Sequence, residues 1–152
     1  MPKRGMVILL VIMDLVAVVA CLLIAFVIMP GAEGAGLVPP YSSVLFIVGS
    51  VPLLVLAVVA LRLFGAIGRG EVFTVANVRT LKAMGWLCGV DTLIWLGEFV
   101  AYALVAQPVR FSVAAALAVA AAFSFSLTIV SATLAAFTRS AAELKDDNDL
   151  VV

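Results

Sequence analysis

Four long apolar stretches dominate this chain, and short polar or turn-forming segments separate them. The apolar stretches cover residues 6–29, 43–64, 83–106 and 111–137. The hydrocarbon core of a bilayer is about 30 Å thick, and a helix of about 20 apolar residues crosses it. The pattern therefore predicts an all-α fold in which a single domain, residues 1–152, is an integral membrane bundle of four transmembrane helices.

Charged segments adjoin the third and fourth stretches. Residues 65–82, here called the hub, precede the third stretch, and residues 139–152, here called the tail, follow the fourth. Thr74 is a favourable N-cap because its hydroxyl can accept a hydrogen bond from a free amide of the first helical turn. We therefore expect the third helix to begin at Thr74 and the fourth to run on toward the tail, so that both extend into the cytosol.

Basic residues predict the orientation of the bundle. Only Arg110 falls at the end opposite the hub, where the first loop is rich in glycine and proline and contains Glu33. The other eight basic residues are Lys3, Arg4, Arg62, Arg69, Arg79, Lys82, Arg139 and Lys145. Because basic residues remain on the cytosolic side, both termini are predicted to be cytosolic. The chain is accordingly predicted to be a multi-pass protein of the bacterial plasma (inner) membrane, embedded in the lipid bilayer.

Composition excludes several classes of function. Hydrophobic residues make up 66% of the chain and charged residues only 12%, against about 25% charged in soluble domains. The formal net charge is zero and no basic cluster occurs, which argues against direct binding of nucleic acid. The chain has no histidine and only two cysteines, so we expect no metal site, no cofactor, no catalytic residues and no enzymatic activity.

Three acidic residues fall inside the apolar stretches: Asp14, Asp91 and Glu98. Each costs about 2.5–3.5 kcal/mol at the centre of a membrane helix, so they are expected to face the bundle interior. A helical rise of 1.5 Å per residue places Asp14 and Asp91 at a similar depth, about 12 Å. A stripe of hydroxyl side chains on the fourth helix lies at comparable depths and is formed by Ser124, Thr128 and Ser131. We predict that these six residues form one intramembrane polar cluster.

Two interpretations of this cluster remain open. In the first, neighbouring carboxylates without a basic partner hold a proton or a cation. In the second, the acids are protonated and hydrogen-bonded, and they fix the register of the helices. Gly85 and Gly89 form a G-x-x-x-G pattern on the side of the third helix opposite its acids, which predicts close helix packing there.

Two cytosolic motifs carry a family resemblance. G-E-V-F-T-V-A-N-V-R-T-L-K-A-M-G, from Gly70 to Gly85, and A-A-E-L-K-D-D-N-D-L-V-V at the end resemble the signatures of the bacterial domain-of-unknown-function 2975 family. The chain departs from that pattern at Asp147 and Val151, where the family usually has glutamate and threonine. The matching positions are Gly70, Phe73, Thr74, Asn77, Arg79, Gly85, Leu144, Lys145, Asn148, Asp149 and Leu150. The resemblance implies four membrane helices and a role beside a small helix-turn-helix transcription regulator, which family members are often encoded next to.

The hub and the tail are predicted to form one cytosolic partner surface, because the hub is basic and the tail is acidic. We expect Glu143 and Lys145 to contact the hub. The surface comprises Gly70, Phe73, Thr74, Asn77, Arg79, Lys82, Glu143, Lys145, Asp146, Asn148 and Asp149. The favoured function is a regulatory partner that binds or sequesters a cytosolic transcription regulator. The alternatives are a small proton- or cation-coupled transporter that uses the intramembrane carboxylates, and a homo-oligomeric or scaffold subunit of a membrane complex.

Overall fold

Helices make up every regular element that the structure describes. The structure, a computed structural model, describes the backbone of residues 2–71, 73–106 and 109–149 and the side chains of residues 4–71, 73–106 and 109–144. The helices are α1 (Pro2–Leu23), a π-helical turn (Ile24–Ile28), α2 (Met29–Gly34), α3 (Ser42–Arg69), α4 (Val75–Val105) and α5 (Phe111–Asp149).

Four helical rods are long and apolar enough to cross a membrane. They are Arg4–Gly34, which joins α1 to α2 through the π turn, and Ser42–Arg69, Val75–Val105 and Phe111–Leu144. Many of their large apolar side chains are exposed, as expected for groups that face lipid. The predicted all-helical fold is confirmed for the described residues, and so is the prediction of four helices long and apolar enough to cross a membrane.

The rods pack in a row. Helix α1 packs against α3, α3 packs against α4, and α4 packs against α5 in the most extensive of the three interfaces. Among the described residues, no Cα atom of α1 lies within 8 Å of α4 or α5. Helix α3 therefore separates α1 from the α4–α5 pair.

The interface between α4 and α5 follows a seven-residue repeat. On α5 the buried positions alternate at spacings of three and four residues and are Ala121, Ser124, Ser131, Ala135, Thr138 and Ala142, with half-buried Thr128 completing the series. On α4 the same spacing links Val78, Leu81, Gly85, Cys88 and Thr92. Such a repeat keeps one seam of each helix against its partner. The two helices therefore pack like a coiled coil, with small side chains that permit close approach.

Contacts along this seam fix an antiparallel register. A Cβ atom added at Gly85 would lie 3.7 Å from Cβ of Ser131, whereas Asp91 bonds to Ser124. The predicted close packing at Gly85 is thus confirmed. The acids of α4 were predicted to lie on the side opposite Gly85. For Asp91 this prediction is wrong, because Asp91 also contacts α5.

Candidate functional site

The two connections at one end of the bundle, here called the loop end, form a roof held by hydrogen bonds. Oε1 of Glu33 accepts from the backbone N–H of Tyr41 at 2.7 Å, and Oε2 accepts from the backbone N–H of Ser43 at 3.1 Å and from its hydroxyl at 2.5 Å. These are free donors at the start of α3, where a negative charge also complements the helix dipole. Glu33 therefore ties the end of α2 to the start of α3.

Arg110 joins the two connections to each other. Its Nη1 donates to the carbonyl oxygens of Gly36 at 2.9 Å and Leu37 at 2.6 Å, and its backbone N–H donates to the hydroxyl oxygen of Tyr102 at 2.8 Å. Gly36 has a φ of 68°, a left-handed conformation that glycine adopts without steric cost. Arg110 therefore fixes the first loop over the ends of α4 and α5.

A cavity of about 770 Å³ lies beneath this roof, between the first loop and helices α3, α4 and α5. We call it the Glu98 pocket, after the carboxyl group in its wall. Most of the surface that faces it is apolar and comes from residues such as Leu45, Val105 and Leu117. The polar and aromatic groups of its wall include Glu33, Tyr41, Trp95, Glu98, Tyr102 and Arg110.

Glu98 lines this pocket and has an unusual carboxyl group. The residue is half-buried, and its Oε1 atom is buried without a hydrogen-bond partner among the described residues. Counting 1.5 Å per residue, Glu98 lies about 10 Å from the end of α4 at Val105. A buried polar oxygen without a partner is costly, which makes Glu98 a strong candidate for ligand contact.

Asp91 is held about two turns deeper along α4. It is fully buried, and its Oδ2 atom accepts hydrogen bonds from the hydroxyl of Ser124 and, at 3.1 Å, from Nε1 of Trp95. Its Oδ1 atom has no partner among the described residues. The structure thus brings together Asp91 and Ser124, two members of the predicted cluster, across the α4–α5 seam.

Trp95 connects Asp91 to the pocket. Its ring meets that of Phe46 edge to face, with centroids 5.8 Å apart and planes at 62°. A Cβ atom added at Gly49 would lie 3.0 Å from Cζ2 of Trp95, so a glycine is what allows the ring to pack against α3. The ring is therefore fixed by α3 on one side and by Asp91 on the other.

The structure does not bring Thr128 or Ser131 to the acids. The Thr128 hydroxyl donates to the carbonyl oxygen of Ser124 in its own helix at 2.9 Å. Ser131 packs against α4 at Gly85, a turn and a half from Asp91. Both residues belong to the α4–α5 seam, and their predicted place in the polar cluster is wrong.

Asp14 does not share a site with Asp91, and this prediction is also wrong. Helix α1 contacts α3 but neither α4 nor α5 within the described part of the chain. Asp14 and Asp91 lie at a similar predicted depth from one membrane surface, but they are on helices that do not contact each other among the described residues. Asp14 is half-buried, and its Oδ2 atom has no hydrogen-bond partner in the described structure.

At the hub, some residues of the predicted partner surface hold the turn between α3 and α4 and are not available to a partner. The Thr74 hydroxyl accepts a hydrogen bond from the backbone N–H of Asn77 at 3.3 Å, which confirms that Thr74 is the N-cap. Helix α4 begins at Val75. The side-chain amide of Asn77 donates to the carbonyl oxygen of Glu71, and Asn77 is only 4% exposed. Asn77 is therefore wrong as a surface residue. Gly70 ends α3 with a φ of 81°, so its role also lies in the backbone.

Other hub and tail residues are exposed. Phe73, Arg79 and Lys82 are accessible on α4 and just before it. Glu143 accepts from Nε of Arg139 at 2.8 Å within α5, and no hydrogen bond or ion pair joins Glu143 to the hub among the described residues. The backbone of α5 is helical through Asp149, whereas four predicted side chains lie outside the described residues: Lys145, Asp146, Asn148 and Asp149.

The sequence predicts neither the roof nor the pocket. In the sequence, Glu33 is a lone acid in the first loop and Arg110 a lone arginine in the second, and each serves only as a marker of topology. Their opposite charges at the same end were a usable signal. The four-residue spacing of Asp91 and Trp95 was another, because residues i and i+4 meet on one helix face.

Comparison with known proteins identifies the family without adding an activity. No curated protein and no solved structure matches this chain. Residues 32–152 match the family described as protein of unknown function (DUF2975). That range contains the roof, the α4–α5 seam, the hub and the tail, and it excludes Asp14. It also contains the described lining residues of the Glu98 pocket except Met29. Because the match covers well over half of the chain, this protein belongs to the DUF2975 family.

Proposed function

We propose that this protein is a non-enzymatic membrane docking protein that holds a cytosolic helix-turn-helix transcription regulator on the hub end of α4 and α5. The observation that carries the proposal is the continuation of the α4–α5 seam into both extensions. Val78 and Leu81 are buried near the start of α4, and Thr138 and Ala142 are buried near the end of α5. The antiparallel register places Val78 level with Thr138. The hub and the start of the tail therefore form one two-helix surface.

The chemistry of this surface suits a protein partner. Phe73 is 53% exposed, Val75 is 59% exposed and Leu144 is 70% exposed, and the exposed cations Arg79 and Lys82 lie on the same part of α4. Exposed apolar side chains beside charges are typical of interaction sites. The orientation is part of the proposal, and it is supported by the eight basic residues at the hub end. The choice of a transcription regulator as partner is supported by the resemblance of the two cytosolic motifs.

Site-specific crosslinking tests the position of the partner. A photo-crosslinking amino acid at Phe73 should capture a co-expressed helix-turn-helix regulator of the kind that family members are often encoded next to. The same amino acid at Leu37, which is 63% exposed at the loop end, is the matched control and should not capture it. Capture from position 37 alone, or a regulator that stays soluble beside the wild-type protein, would refute the proposal.

Charge removal tests the surface itself. The double change Arg79→Gln and Lys82→Gln should lower retention of the regulator on membranes by about fivefold, because each exposed charge contributes about 0.5 kcal/mol. Arg4→Gln is the control, since Arg4 is also exposed but lies on α1, which does not contact α4 in the described structure. Equal retention by the two variants would contradict the role of the hub. A stable membrane subunit captured in place of the regulator would instead favour the scaffold function.

A further inference from the structure

The Glu98 pocket has the size and the lining of a small-molecule site. Its volume of about 770 Å³ falls within the usual range of roughly 300–1,000 Å³ for ligand pockets. Its wall is mainly apolar and includes the aromatic side chains of Phe46, Trp95 and Tyr102. Such a wall favours a ligand with a bulky hydrocarbon or aromatic body.

One ionisable group in the wall has an oxygen without a hydrogen-bond partner. Oε1 of Glu98 is buried and accepts no hydrogen bond from the described residues. The other charged groups that line the pocket are engaged with the backbone: Glu33 accepts from the amides of Tyr41 and Ser43, and Arg110 donates to the carbonyl oxygens of Gly36 and Leu37. The ion pairs of the described structure include neither Glu98 nor Arg110. The pocket therefore contains an uncompensated acid beside an apolar volume.

The class of cation follows from the same surroundings. A metal ion needs several oxygen, nitrogen or sulfur ligands, and the described residues contain no group of three or more such acidic, cysteine or histidine side chains. An organic cation needs only one carboxylate and gains the rest of its affinity from apolar and aromatic contact. The rings of Trp95 and Tyr102 also attract a cation that lies within about 6 Å of a ring face.

We propose that the Glu98 pocket binds a monovalent organic cation with an apolar body, and that the Glu98 carboxylate is its counter-ion. The ligand enters from the loop end, where Glu98 lies about two helical turns from the end of α4. The site is separate from the hub end, so the proposal does not depend on the identity of the docked partner.

A pair of probes with the same shape and opposite charge tests the proposal without any variant. Tetraphenylphosphonium is a permanent hydrophobic cation, and tetraphenylborate is an anion of nearly the same size. The full-length protein in phosphatidylcholine nanodiscs should bind tetraphenylphosphonium saturably, after subtraction of binding to empty nanodiscs, and should not bind tetraphenylborate saturably. Equal saturable binding of both probes, or saturable binding of neither, would overturn the proposal.

Fluorescence locates the bound probe. The chain has two tryptophans, and Trp86 is 78% exposed on the outside of α4, whereas Trp95 lines the pocket. In a Trp86→Phe background Trp95 is the only tryptophan, so saturation with tetraphenylphosphonium should change its emission at the same concentrations as the binding isotherm. Saturable binding that leaves Trp95 emission unchanged would place the cation elsewhere and refute the site.

Substitution of the carboxylate completes the test. Glu98→Gln keeps the size of the side chain and removes its charge, and it should weaken binding of tetraphenylphosphonium at least about tenfold. Glu98→Asp keeps the charge and should retain most of the affinity. Asp14→Asn is the matched control, because it removes a second acid of the membrane helices that does not line the pocket, and it should change affinity less than about twofold. Equal affinity of Glu98→Gln and the wild-type protein, or an equal loss in Asp14→Asn, would exclude Glu98 as the counter-ion.

Discussion

The hydrogen bond between Ser124 and Asp91 allows a direct measurement of what a buried acid contributes to this bundle. Ser124→Ala removes the hydroxyl that donates to Oδ2 of Asp91 and leaves Trp95 Nε1 as the remaining donor to that oxygen. Ser124 is 2% exposed and Asp91 is 0% exposed, so water does not replace the lost donor. We therefore expect Ser124→Ala to destabilise the protein.

The magnitude depends on the charge of Asp91. Hydrogen bonds between neutral side chains in membrane proteins average about 0.6 kcal/mol, with a maximum near 1.7 kcal/mol. Hydrogen bonds to charged groups contribute about 1.5–3 kcal/mol. The loss should thus lie between about 0.6 and 3 kcal/mol, and its size distinguishes a protonated structural acid from an ionised one.

The assay is equilibrium unfolding in mixed detergent micelles, followed by circular dichroism, with the free energy of unfolding compared between variants. Ser126→Ala is the matched control on the same helix, because Ser126 is exposed and its hydroxyl donates at 2.8 Å to Ala122 in its own helix. It should change the free energy of unfolding by less than about 0.5 kcal/mol. A double-mutant cycle with Asp91→Leu isolates the energy of the Ser124–Asp91 pair. If Ser124→Ala lowered the free energy of unfolding no more than Ser126→Ala, and the cycle showed no coupling, this hydrogen bond would not stabilise the fold.

Further predictions concern packing and topology. Gly49→Ala places a Cβ about 3.0 Å from the fixed ring of Trp95 and should destabilise the protein by about 1–3 kcal/mol in the same assay. Gly97→Ala, which meets nothing within 4 Å, should be neutral, and equal effects of the two changes would contradict the packing argument. In a background without the two native cysteines, an impermeant thiol reagent added outside intact spheroplasts should label Leu37→Cys but not Leu144→Cys; the reverse pattern would invert the proposed orientation.

Local signals in the sequence were sufficient for the helices and one cap. The apolar stretches are strong enough to locate four membrane helices, and a threonine before a helical pattern has few alternatives to capping, so Thr74 behaves as expected. Asn77 shows the limit of the same reasoning. An asparagine in a charged segment suggests exposure, but its amide side chain is buried because it closes the turn onto the Glu71 carbonyl oxygen, a contact six residues away.

The intramembrane acids show why the rest could not be predicted. Helical rise gives depth, so it placed Ser124 close enough to Asp91 for a hydrogen bond. It does not give the order in which helices pack, and that order separates Asp14 from the other acids. The Glu98 pocket could not be predicted either, because its volume depends on where Glu33 and Arg110 hold the two loops, and these loops contain no regular sequence pattern.

The row of helices has a consequence for how the protein enters the bilayer. Helix α4 is the least apolar of the four candidate spans and carries both Asp91 and Glu98, so it gains little from lipid alone. Its most extensive interface is with α5, the next helix to be synthesised, and the connection between them is short. Insertion of α4 should therefore wait for α5, with the two helices leaving the translocon together as a helical hairpin. By contrast, none of the residues in the most apolar window of Arg4–Gly34 is buried against other helices, so α1 is expected to insert on its own.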